Sequence, residues 1–128
     1  LVKKFAVETL GCGCPDEVFE SMSLSDLDSQ QTQDLNAQRI IIGNRLMIYL
    51  VPVSAPIDIG DALRHLVSSG RAERDDNGYN RLRIVLFPDG SDYDRDTAML
   101  QFNTNVREDD RLHLHLLEKS DVMSILRD

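Results

Sequence analysis

The chain contains no tryptophan, and aromatic residues make up only 5% of its 128 positions. A protein that stacks on nucleic-acid bases needs more aromatic surface than that. Basic residues are also in deficit, with 14 Lys and Arg against 22 Asp and Glu, for a net charge of −8. A phosphate-backbone binder needs a concentrated basic surface, as does a protein recruited to an anionic bilayer. Neither nucleic acid nor membrane is therefore expected as a partner. No apolar run approaches the roughly 20 residues that span a bilayer. The longest, Leu46 to Val53, is interrupted by Pro52. Phe5 to Leu10 carries Glu8 and Thr9, so it is no signal-peptide core. Cys12 and Cys14 are the only cysteines. They are too few for a disulfide framework, and a reducing, cytoplasmic compartment is the expectation.

What is present fits one soluble domain over 1–128, with 41% hydrophobic and 28% charged residues. The charge is uneven. Between Phe5 and Gln38 there are seven acids and no Lys or Arg, so seven of the eight net charges lie in that stretch. Such a run reads either as a solvated helix face followed by a polar loop, or as an acidic docking surface for a basic protein partner or a cation.

Hydrophobic patterning predicts the order of elements. Lys3 to Leu10 alternates loosely and reads as a strand, and Gly11 to Cys14 as a tight turn. Pro15, Asp16 and Glu17 suit a helix start, with Val18, Phe19 and Met22 as its apolar face. Ser25 is an N-cap candidate for a second short helix. Ile40 to Ile42 and Leu46 to Val51 flank Gly43-Asn44, the signature of a hairpin with a two-residue loop. Ile59, Ala62, Leu63, Leu66 and Val67 give Asp58 to Ser69 a helical period, with Gly70 as its stop. Asp75 to Gly78 reads as a turn and Arg81 to Phe87 as an apolar strand. Ala98 to Phe102 fits a short strand or helix, Arg111 to Leu117 a strand, and Asp121 to Leu126 a terminal helical turn or two. The sum is an α+β protein. The expected architecture is a ferredoxin-like βαββαβ sandwich with C-terminal additions, and the alternative is a thioredoxin-like sheet.

The spot with chemistry is Gly11-Cys12-Gly13-Cys14-Pro15, between a predicted strand and a predicted helix. Backbone N–H groups at a helix start lower a thiol pKa, and the glycines permit close approach. Two thiolates at this spacing can hold one soft ion such as zinc or copper, or close as a strained disulfide. The acids Asp16, Glu17 and Glu20 nearby favour a bound cation over a free thiolate. The plain alternative is a pair of small buried residues at a turn. In placement the pair resembles that of heavy-metal-associated domains and of thioredoxin-type proteins. Heavy-metal-associated domains use Cys-x-x-Cys, one residue more than here, and thioredoxin-type proteins also space their pair differently. The chain is assigned to neither family.

His113 and His115 alternate with Leu112, Leu114 and Leu116, so both imidazoles leave one face of a strand. With Cys12 and Cys14 they would complete a Cys2His2 set if the two strands are neighbours. The plain alternative is a solvent face with the leucines inward. His65, between Leu63 and Leu66, reads as structural. Asp92, Asp94 and Asp96 fit the opening of a calcium loop, but Thr97 stands where glycine is required and Asn103 where the closing acid belongs. A solvated acidic loop is the expectation there.

Two functions follow. One is a thiol site at Cys12 and Cys14, for soft-metal binding or redox exchange, with Cys14 the lower-pKa thiol. The other is a non-enzymatic interaction or homodimerisation domain with an acidic docking surface and buried cysteines.

Overall fold

Five strands pair into one mixed sheet whose spatial order follows the chain. They are β1 (Met22–Asp26), β2 (Gln38–Ile42), β3 (Leu46–Val53), β4 (Arg81–Pro88) and β5 (Leu112–Leu116). The helices are α1 (Ile59–Asn77), α2 (Arg95–Val106) and the short α3 (Lys119–Val122). This computed structural model describes residues 22–26, 37–43, 45–53, 59–89, 94–106, 109 and 111–122. The strand expected at 3–10, the turn at 11–14 and the helix from Pro15 lie outside the described residues.

The β1–β2 and β2–β3 pairs are antiparallel, whereas the β3–β4 and β4–β5 pairs are parallel. The β2–β3 hairpin forms as expected, with Gly43 at φ 59 and the Arg45 N–H donating to the Ile42 carbonyl at 3.0 Å. Its loop is one residue longer than the expected pair, because Ile42 faces Leu46 across the ladder. β1 corrects the placing of Met22 on a helix face and of Ser25 as an N-cap, since both lie in this strand. Met22 and Leu24 alternate, and the register sets them opposite Ile42 and Ile40.

The α+β class holds, but the interleaved ferredoxin-like order does not describe these strands. That order would insert an antiparallel strand between the second hairpin strand and the strand after the helix. Here β3 and β4 pair directly and in parallel, as Tyr49 opposite Ile84 illustrates. A thioredoxin-like sheet, with its hairpin after the parallel strands, does not describe them either. The hairpin comes first, and two β–α–β crossovers follow it in the same direction. Connections of one hand and one direction put both helices on one face. There Ala62, Leu63, Leu66 and Val67 of α1 and Ala98 and Phe102 of α2 pack on Met47, Tyr49, Val51, Leu82, Ile84, Leu86 and Leu112. By strand alternation the opposite face carries Ile40, Ile42, Ile48, Leu50, Val85 and Phe87, also buried.

Helix α1 does not stop at Gly70. It runs to Asn77, where Gly78 at φ 72 terminates it. The Tyr79 N–H donates to the Arg74 carbonyl at 2.9 Å and the Gly78 N–H to the Asp75 carbonyl at 3.3 Å, the two bonds of a Schellman motif. Gly70 instead marks where α1 touches the sheet. A Cβ there would overlap the Leu82 Cδ2 methyl and lie 3.0 Å from the Tyr49 ring.

Helix α2 resolves the acidic loop in part. Asp94 Oδ1 accepts from the N–H groups of Asp96 at 3.0 Å and Thr97 at 3.1 Å, so Asp94 is the helix N-cap. These bonds hold its carboxyl below the usual range. Asp92 lies outside the described residues.

Candidate functional site

Cys12 and Cys14 lie outside the described residues. His113 and His115 stand where alternation puts them, on the face of β5 opposite the helices, with Leu112 in the core and Leu114 and Leu116 packed against it. Their neighbours are arginines. Arg81 and Arg83 alternate on β4 just as the histidines do on β5, and the parallel register sets Arg83 beside His113. Arg81 Nη1 lies 3.3 Å from His113 Nε2, and Arg83 Nη1 lies 3.0 Å from His115 Nε2.

A guanidinium has no acceptor, so in both pairs the arginine donates and the imidazole accepts. At His115 the ring is then neutral, with its proton on Nδ1. The electrostatics agree for His115. Burial, then the charges of Arg83 and His113, push its pKa down to about 4. Arg83 is lowered as well, by burial first and by Arg81 second. The four groups therefore form a two-by-two lattice in a positive field. Among the described residues, no group of three His, Cys, Asp or Glu gathers to hold a metal.

The positive field extends along the end of the sheet where the parallel strands begin. Arg45 precedes β3, Arg81 opens β4 and Arg111 precedes β5, and all three are exposed. Their backbones are adjacent. The Arg45 carbonyl accepts from the N–H groups of Asn80 at 2.7 Å and Arg81 at 3.2 Å, and the Arg111 carbonyl accepts from Leu82 at 2.9 Å. Among the described residues, only Arg111 of these three meets a carboxylate, Asp75 at 3.8 Å.

Elsewhere the arginines serve the fold. Glu73 of α1 bridges Arg39 of β2 and the buried Tyr49, whose hydroxyl donates to Glu73 Oε1 at 2.6 Å. Burial and this carboxylate raise the Tyr49 pKa far above the ordinary 10.0. A groove of about 460 Å³ between α1 and α2 is lined by Arg64, Val67, Ser68, Arg71, Thr104 and Asn105, among others. Its cations are already engaged. Arg64 pairs with Asp61, while Arg71 binds Asp109 at 3.2 Å and the carbonyls of Asn105 and Val106 at 3.3 and 3.1 Å.

The sequence reading found the histidines and missed the arginines. The signal was available. Arg81-Leu82-Arg83 repeats the alternation of His113-Leu114-His115, and two such strands side by side place four nitrogen-bearing side chains on one face. No protein-family model matches the chain, and no curated protein matches it. Among the described residues, no helix is long and apolar enough to cross a membrane.

Proposed function

We propose that the protein is a non-enzymatic interaction module that binds an anionic partner along the β4–β5 face and the arginine rim beside it. The observation that carries this reading is that Arg45 and Arg81, exposed and adjacent, meet no carboxylate among the described residues, although the chain as a whole is acidic. Local field, not net charge, governs where a charged partner lands. Carboxylates are recognised well by guanidinium forks, and a strand holds the forks in fixed register.

Titration of the full chain with poly-glutamate at low and high salt tests this. Binding is expected, and it should weaken as salt rises because exposed charges are screened. Arg45→Ala and Arg81→Ala should each weaken it by about fivefold, the worth of one exposed ion pair. Absence of binding, or binding that neither substitution alters, would sink the reading.

A second reading rests on the sequence alone. Gly11-Cys12-Gly13-Cys14-Pro15 suits a thiol site for a soft metal such as zinc or copper, or for redox exchange. Cys14 would be the lower-pKa thiol and Cys12 its partner, with His113 and His115 as further ligands if the pair lies beside β5. Thiol titration and metal analysis of anaerobically purified protein decide it. Both thiols reactive, or a stoichiometric metal, is the expected result, and fewer than one reactive thiol with no metal removes it.

A further inference from the structure

β5 is an edge. Among the described residues it pairs only with β4, and its hydrogen bonds show which way its backbone points. The Leu82 N–H donates to the Arg111 carbonyl at 2.9 Å, and the Leu117 N–H donates to the Leu86 carbonyl at 3.0 Å. In a parallel ladder alternate residues bond to one side. The odd-numbered residues of β5 thus face β4, and the N–H and C=O groups of Leu112, Leu114 and Leu116 face away from it. Lysine or proline often guards such an edge. Residues 112–116 contain neither.

The same edge carries the charge. Arg81 and Arg83 originate one strand further in, but their guanidinium groups reach the β5 imidazoles, which sets the cations above β5 itself. They repeat every second residue, a spacing of about 6.6 Å. A strand added beside β5 would repeat its own same-face side chains at that spacing. Acids at those positions would face His113, His115 and the two guanidinium groups. Apolar residues between them would continue the face lined by Leu114 and Leu116, both partly buried against the core.

We propose that the anionic partner is an extended protein segment alternating acidic and apolar residues, which adds to the sheet as a strand beside β5. This deepens the interaction-module reading and rests on it. Strand addition takes affinity from main-chain hydrogen bonds and selectivity from alternate side chains.

The test compares two capped peptides of about eight residues, the length of an ordinary strand. One alternates aspartate and valine, and the other has the same composition with its aspartates in one block. Both are titrated into the full chain. The alternating peptide should bind about tenfold tighter, since only it can satisfy the backbone and the charges together. It should also slow hydrogen exchange at the amides of Leu114 and Leu116, while Arg81→Ala weakens it. Equal affinity for the two peptides without protection of those amides overturns strand addition and leaves the anion-binding reading standing. If neither peptide nor poly-glutamate binds, both fall.

Discussion

Asp109→Ala is expected to lower the stability of the fold by about 3 kcal/mol, well above the roughly 1 kcal/mol of an exposed ion pair. The reason is Arg74, which is 2% exposed. Its guanidinium meets Asp109 with both forks, Nη1 to Oδ1 at 2.9 Å and Nη2 to Oδ2 at 2.8 Å. Asp109 also accepts from Arg71 and from the Arg111 N–H at 3.1 Å. One carboxylate therefore ties the end of α1 to the start of β5, and Arg71 carries the tie on to the last carbonyls of α2. Removing it strands a buried charge whose one remaining carboxylate partner among the described residues is Asp75, 3.0 Å from Arg74 Nε. Replacing both members, Arg74→Met with Asp109→Ala, should cost less than the sum of the single changes, because no charge is then left uncompensated.

The pH dependence has a definite sign. The Arg74 hydrogen bonds hold the Asp109 carboxyl below its ordinary 3.8. A depressed carboxyl stabilises the fold at pH above the unfolded value and loses that contribution as pH falls through the folded value. Denaturant midpoints of wild type and Asp109→Ala should thus converge in acid. A loss under about 1 kcal/mol at neutral pH would mean that the pair is no stronger than a surface one.

How much of this was legible depended on whether a pattern had a local cause. The hairpin was legible because Gly43-Asn44 sits between two apolar runs, of which Leu46 to Val53 is buried almost throughout. β5 was legible because Leu-His-Leu-His-Leu has period two. Lys3 to Leu10 and the Cys pair fall outside the described residues, so the sequence reading of that stretch stands as an expectation. What could not be read locally is sheet order. Nothing in Leu46 to Val53 says that its other neighbour is Arg81 to Pro88 in parallel, and the ferredoxin-like expectation failed at that point. The arginine rim depends on the same fact, since Arg45, Arg81 and Arg111 become neighbours only once three strands begin side by side. The net charge concealed it further, because seven of the eight excess negative charges lie in Phe5 to Gln38.

Gly70→Ala separates local propensity from packing most sharply. In an exposed helix interior, glycine to alanine stabilises by about 1 kcal/mol. At position 70 the opposite is expected, a net loss of about 1–2 kcal/mol, because overpacking a filled core costs about 1–3 kcal/mol. The added Cβ would overlap the Leu82 methyl and press the Tyr49 ring at 3.0 Å, and both side chains are fully buried. Tyr49 cannot swing away cheaply, since its hydroxyl is held by Glu73 at 2.6 Å. Leu82 lies in the strand between β3 and β5, so moving its backbone disturbs both ladders. Trimming the neighbour supplies the control. Leu82→Ala alone opens a core cavity, but in the Gly70→Ala background it also relieves the overlap, so the double variant should lose less than the two single losses combined. Thermal or denaturant unfolding of the four proteins measures the coupling. A stabilised Gly70→Ala would mean that α1 stands further from the sheet than this packing requires.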